Sequence, residues 1–145
     1  MKRFLRLILP FFLLLNISCV AFPQDSIPYA MSGEFVMEDG CQDYSICGVD
    51  VFLLNKSNKE IENISIVFFL FDKDGEPAYE CRNKISAQIE QYIAPEDSAF
   101  FCISLDRFMN AIPSEPLLVD YLYLAKIEYE DGSVWEDPYG LAAFK

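Results

Sequence analysis

The stretch Leu117 to Glu130 changes side-chain character at nearly every step, and this pattern constrains the fold more than any other feature of the chain. Val119, Tyr121, Tyr123, Ala125, Ile127 and Tyr129 occupy one set of alternate positions, and Asp120, Lys126, Glu128 and Glu130 the other. A period of two puts the sets on opposite faces of a strand; a helix would scatter them around its axis. The same grammar recurs upstream. Gly48 to Leu54 alternates Val49, Val51 and Leu53 with Asp50, Phe52 and Leu54, and Ile85 to Ile93 alternates apolar residues with Ser86, Gln88 and Glu90. In Ile61 to Phe71, Ile64, Ile66, Phe68 and Leu70 share one face while Val67, Phe69 and Phe71 share the other, as in a central strand. Ser98 to Leu105 aligns Phe101, Ile103 and Leu105.

Turn residues separate these runs. Asp72-Lys73-Asp74-Gly75 and Glu130-Asp131-Gly132-Ser133 read as hairpin turns in which glycine supplies a positive φ. Short apolar runs divided in this way predict an antiparallel sandwich or barrel. Residues 22–31, with Pro23 and Pro28, read as an extended segment, and Ser32 to Met37 as a weak first strand. Phe108, Met109 and Ile112 fall at helical spacing, which predicts one short helix near 106–112, stopped by Pro113 and Pro116. A last short strand is expected after Gly140. The expectation is a single all-β domain over residues 32–145 with about 7–8 strands.

Residues 1–21 read as a signal peptide. Lys2, Arg3 and Arg6 precede the apolar run Leu7 to Leu15, and Cys19 and Ala21 offer small residues for cleavage. The run is too short for a spanning helix, which needs roughly 20 apolar residues. Cleavage after Ala21 would give a soluble chain starting at Phe22. Alternatively, Leu15-Asn16-Ile17-Ser18-Cys19 resembles a relaxed lipobox, which would leave a lipid anchor on Cys19. The protein is therefore expected in the periplasm or secreted space, or lipid-anchored in a bacterial envelope, with no other membrane attachment. Removing three cations takes the formal charge from −12 to −15. That balance repels phosphate backbones, so nucleic acid is excluded as a partner.

Either route removes Cys19 from the thiol count and leaves Cys41, Cys47, Cys81 and Cys102. An even number in an oxidising compartment suggests two disulfides with three possible connectivities. Cys41 and Cys47 bracket five residues, which favours a local staple, and Cys81 would then pair with Cys102.

From Phe52 to Leu105 the order of features resembles the FxLYD-type immunoglobulin-like domains of bacterial exported proteins. Phe52-Leu53-Leu54-Asn55-Lys56-Ser57 runs a strand into an Asn and a polar turn. Phe69-Leu70-Phe71-Asp72 then ends a strand on an aromatic–Asp pair before Gly75, and Pro95-Glu96-Asp97 leads into Phe100 and Phe101. The resemblance implies an immunoglobulin-like sandwich and an accessory or binding role without a catalytic site.

The residues themselves carry no catalytic constellation. The chain has no His to act as base for a Ser or Cys nucleophile, and its six glycines are scattered singly, so no phosphate loop forms. Asp72, Asp74 and Glu76 have the alternation of a weak calcium site. Glu128, Glu130, Asp131, Glu136 and Asp137 gather at the second hairpin, where paired acids would serve hydrolysis. Tyr129, Trp135 and Tyr139 are candidate interface aromatics. The expectation is a non-enzymatic envelope module with no cofactor, contacting an unidentified protein through loops or a strand edge. The alternatives are a calcium-stabilised module and a small acid-dependent hydrolase. Intact mass of the exported chain is expected to show loss of at least residues 1–18; a chain recovered with Met1 to Ser18 attached would refute the leader.

Overall fold

The computed structural model describes residues 27–37 and 41–143; the predicted leader, with Cys19, lies outside them. Seven strands occur among these residues: β1 Tyr29–Val36, β2 Gly48–Asn55, β3 Ile61–Phe71, β4 Lys84–Ile93, β5 Ser98–Ser104, β6 Leu118–Tyr129 and β7 Val134–Glu136. They form two antiparallel sheets, ordered β1-β2-β5 and β4-β3-β6-β7. The architecture is all-β and sandwich-like, because inward residues of both sheets meet in one core.

Alternation builds that core where it was expected. Val49, Val51 and Leu53 of β2 are fully buried, as are Ile66, Phe68 and Leu70 of β3. Each such apolar side chain contributes about 1.5–3 kcal/mol relative to exposure. The central place of β3, between β4 and β6, agrees with its two apolar faces. At both predicted turns the glycine adopts φ 79°, at Gly75 and Gly132. Asp72 closes the first by accepting from the N–H groups of Asp74 and Glu76, each at 2.9 Å.

β1 begins at Tyr29, earlier than Ser32. Its ring is buried edge-on against Trp135, 5.7 Å away, and its hydroxyl accepts from the Leu124 N–H at 3.0 Å. Tyr29 thus joins the first strand to the opposite sheet.

The predicted helix near 106–112 does not form. Leu105 C=O accepts from the N–H groups of Phe108 and Met109, which makes one turn. Met109 then bridges to Cys81, and the Asn110 N–H donates to Glu80 C=O at 2.5 Å. Those bonds divert the backbone that a second turn would need, and Ile112 is left exposed. Residues 141–143 form a turn rather than a strand, held by Asp137, whose carboxylate accepts from Leu141 and Ala142 N–H at 2.9 and 2.8 Å.

β6 does not keep one phase. Its register against β3 shifts between Ser65 and Ile66 and again between Val67 and Phe69. Each shift adds a residue on β6, so the strand contains two bulges. The inward residues are therefore Val119, Leu122, Leu124, Ile127 and Tyr129, and Tyr121 lies outside the core. The single apolar face predicted from alternation is corrected by these two slips.

Where β2 ends, a fully buried Asn55 ties the sheets together. Its amide donates to the carbonyls of Lys59, Ile93 and Ala94 at 2.8, 3.0 and 3.1 Å, and its oxygen accepts from Ser57 N–H and Oγ. Replacing it with Leu removes every one of these bonds and leaves buried carbonyls unsatisfied. Asn55→Leu is expected to lower stability by about 2–3 kcal/mol in urea denaturation.

Candidate functional site

The outer face of the four-stranded sheet carries two recesses on one side of β3. The first, about 290 Å³, is polar and is lined by Asn63, Ser65, Gln88, Glu90, Lys126 and Glu128. The second, about 590 Å³, is aromatic: Phe69, Phe71, Tyr121, Tyr123 and Tyr139 form it with Asn83, Lys84 and Pro138. Period-two geometry explains half of this groove. Because Phe68 and Leu70 point inward, Phe69 and Phe71 must point out.

The other half comes from the bulge in β6. Tyr121 adopts φ 48°, in the left-handed region. For a residue with a bulky side chain that conformation costs on the order of 1–3 kcal/mol and persists only where surroundings enforce it. It carries the Tyr121 ring onto Phe69 (5.7 Å, 76°) and Phe71 (6.2 Å, 56°). Lys84 Nζ lies 5.9 Å from the Phe69 centroid, within range of a cation–π contact. Asn83 fixes the rim by donating to Leu70 C=O at 2.6 Å, and the Tyr123 hydroxyl donates to Pro138 C=O at 3.3 Å. Tyr139, 78% exposed, stands at the mouth.

The three interface candidates are thus dispersed. Tyr129 is buried, Trp135 is half-buried on Tyr29, and Tyr139 alone is exposed at the groove. Sequence reading missed Phe69, Phe71, Lys84 and Tyr121 as site residues. The signal for Tyr121 was present: Leu122 and Leu124 are apolar on the face assigned to Asp120 and Lys126, which marks a change of phase.

The acids are engaged in structure. Asp72 closes its own turn, while Asp74 and Glu76 are exposed beside it. Among the described residues no group of three His, Cys, Asp or Glu is placed to hold a metal ion. At the second hairpin, Glu128 pairs with Lys126, and Asp131 pairs with Lys59 at 2.8 Å. Asp131 also accepts from the Ser133 hydroxyl and N–H. Asp137 holds the turn that follows β7, and Glu130 and Glu136 are exposed.

The four thiols are free. Burial pushes Cys47 up to about 11, with Asp106 and Cys81 adding to the effect. Burial likewise raises Cys102 to about 12, helped by its hydrogen bond with Asp50 and by the nearby charges of Asp43 and Cys41. Cys81 is raised by burial and by Glu80. Thiols held protonated in this way are poor nucleophiles.

Family models, curated proteins and solved structures offer no match to the chain.

The bond with Lys59 first, then the two from Ser133, hold the Asp131 carboxyl well below the usual carboxylate range. A depressed carboxylate stabilises the fold above its unfolded value, and the effect fades as pH falls through the folded one. Asp131→Asn is therefore expected to melt below the wild type at pH 7. The two melting curves should converge as the buffer is taken under the ordinary aspartate range. A gap that persists in acid would show that the carboxylate charge is not responsible.

Proposed function

We infer that the protein is an exported, non-enzymatic module of immunoglobulin-like type that binds another protein through its aromatic groove. The observation that carries this reading is Tyr121. A bulge and a left-handed backbone turn this ring out of the core and set it against Phe69 and Phe71, in a conformation that costs on the order of 1–3 kcal/mol. Strain kept at a surface site is a mark of a binding role. Large rings at low entropy cost, rimmed by Lys84 and the exposed Tyr139, suit a protein contact.

The strand order supports the immunoglobulin-like reading. In the constant-type arrangement the first, second and fifth strands share a sheet with the fourth, opposite the third, sixth and seventh. Here β4 changes sheets and joins β3, and the remaining order is the same. The export reading rests on the charged and apolar leader, and the engagement of Asp72, Asp131 and Asp137 in turns favours binding over hydrolysis.

A photoreactive phenylalanine at position 139, introduced in cells that export the protein, tests the groove. It is expected to yield one discrete adduct that is lost in the Tyr121→Ser background, while the fold, followed by circular dichroism, is retained. The same probe at Glu96, in the β4–β5 turn at the opposite end of the sheet, should yield none. No adduct from position 139, or one indifferent to Tyr121, would refute the assignment.

A further inference from the structure

The sheets divide the four cysteines by side. Cys47 stands in phase with Val49, Val51 and Leu53, the inward residues of β2, and is completely buried in the core cluster. Cys81 belongs to that cluster too. One turn connects their backbones: Cys47 C=O accepts from Leu105 N–H at 3.0 Å, Leu105 C=O accepts from Met109 N–H at 3.1 Å, and Met109 bridges to Cys81. The two thiols therefore approach the core from either side of the same turn, and each lies in a site from which solvent is excluded.

Cys102 is on the other side of its sheet. Its neighbour Ile103 points inward opposite Val49, so Cys102, opposite Asp50, points out. Gly48 confirms this placement, since it is in phase with the outward Asp50. A Cβ built on Gly48 would lie 2.6 Å from Cys102 Sγ and 2.8 Å from the Tyr44 ring. The loop from Cys41 to Cys47 therefore lies over Cys102, with Tyr44 packed beside the sulfur. Asp106 pins that loop by accepting from Ser45 and Ile46 N–H at 2.7 and 2.9 Å. Cys41, at the start of the loop, is half-exposed and reaches the outer surface; Cys47, at its end, has crossed into the core.

We propose that the mature protein carries two disulfides, Cys41–Cys102 on the outer surface of the three-stranded sheet and Cys47–Cys81 within the core. The local staple Cys41–Cys47 and the cross-link Cys81–Cys102 each join thiols that the β2–β5 sheet separates. The electrostatic influence of Cys41 on Cys102 and of Cys81 on Cys47 agrees with the same two neighbourhoods.

Each bond forms by exchange with an oxidised disulfide donor. A cysteine thiolate attacks a donor sulfur and releases one donor thiol; the second cysteine attacks the mixed disulfide and releases the other. Two electrons pass from the cysteine pair to the donor, and the two protons lost by the cysteines appear on the two donor thiols. Because Cys47 and Cys81 are buried in the core and the loop covers Cys102, exchange belongs to the folding reaction rather than to the finished fold. The pairing is a property of the folded chain and does not depend on the export reading.

Refolding the reduced chain in a glutathione redox buffer, trapping with an alkylating agent and cleaving before aspartate tests the proposal. Asp43, Asp50, Asp74 and Asp97 separate all four cysteines onto different peptides. The expected products are Cys41 linked to Cys102 and Cys47 linked to Cys81, against a mixture of connectivities when oxidation is carried out in urea. Cys102→Ser should free Cys41 for alkylation and leave Cys47–Cys81 intact, whereas the sequential pairing would free Cys81. Any other dominant connectivity in the refolded chain, or four alkylated thiols, overturns the proposal. Recovery of the chain from cells with its leader attached would count against export alone.

Discussion

The buried amide of Asn55 is the constraint on which the rest of the structure depends. β2 must leave the three-stranded sheet at this residue so that the chain can enter β3 in the other. A chain that turns inside a protein exposes carbonyls that have lost their ladder partners, and each is costly to bury unpaired. Asn55 satisfies three of them from a single side chain, at Lys59, Ile93 and Ala94. Its own backbone accepts from Glu96 and donates to Asp97. Departure of β2, entry of β3 and the β4–β5 turn thereby share one hydrogen-bonding centre. Only glutamine among the other side chains supplies the same two donors and an acceptor without charge, and it is one methylene longer.

From that fixed end, the sheets diverge in character. The three-stranded sheet is regular, with unbroken pairing of β2 to β1 and β5. The four-stranded sheet takes up irregularity along β6, and it is there that the surface becomes distinctive. One bulge brings Leu124 to Tyr29, whose hydroxyl takes its N–H; the other sends Tyr121 outward. The same device that lets β6 fit its neighbours thus supplies the aromatic groove with its central ring.

Much of the fold was legible in the residues, and the reasons are local. β2 keeps strict alternation through unbroken pairing on both sides, and β3 keeps it from Ile64 to Leu70, past a single slip between Ile61 and Asn63. The turns at Gly75 and Gly132 follow from backbone sterics that only glycine meets without strain. β6 was legible as a strand but not in phase, since two inserted residues return the alternation to its starting face and conceal what happens between. The helical spacing of Phe108, Met109 and Ile112 misled because distant backbone at Glu80 and Cys81 competes for the same N–H groups. The groove was illegible for a related reason: Phe69 and Tyr121 become neighbours only after the register is known. Asp106 reads as the first residue of the expected short helix, and its grip on Ser45 and Ile46 spans some sixty residues.

The brevity of β7 has a consequence for behaviour in concentrated solution. Among the described residues its strand pairing covers only Lys126, Ile127 and Glu128 of β6, so the flank from Leu118 to Tyr123 has no strand paired to it on that side. A straight, bare flank of this length would recruit another chain and start a fibril. The left-handed kink at Tyr121 bends it out of line, and a second molecule would have to reproduce the kink in order to add. Straightening that residue would therefore trade the aromatic groove for a tendency to polymerise.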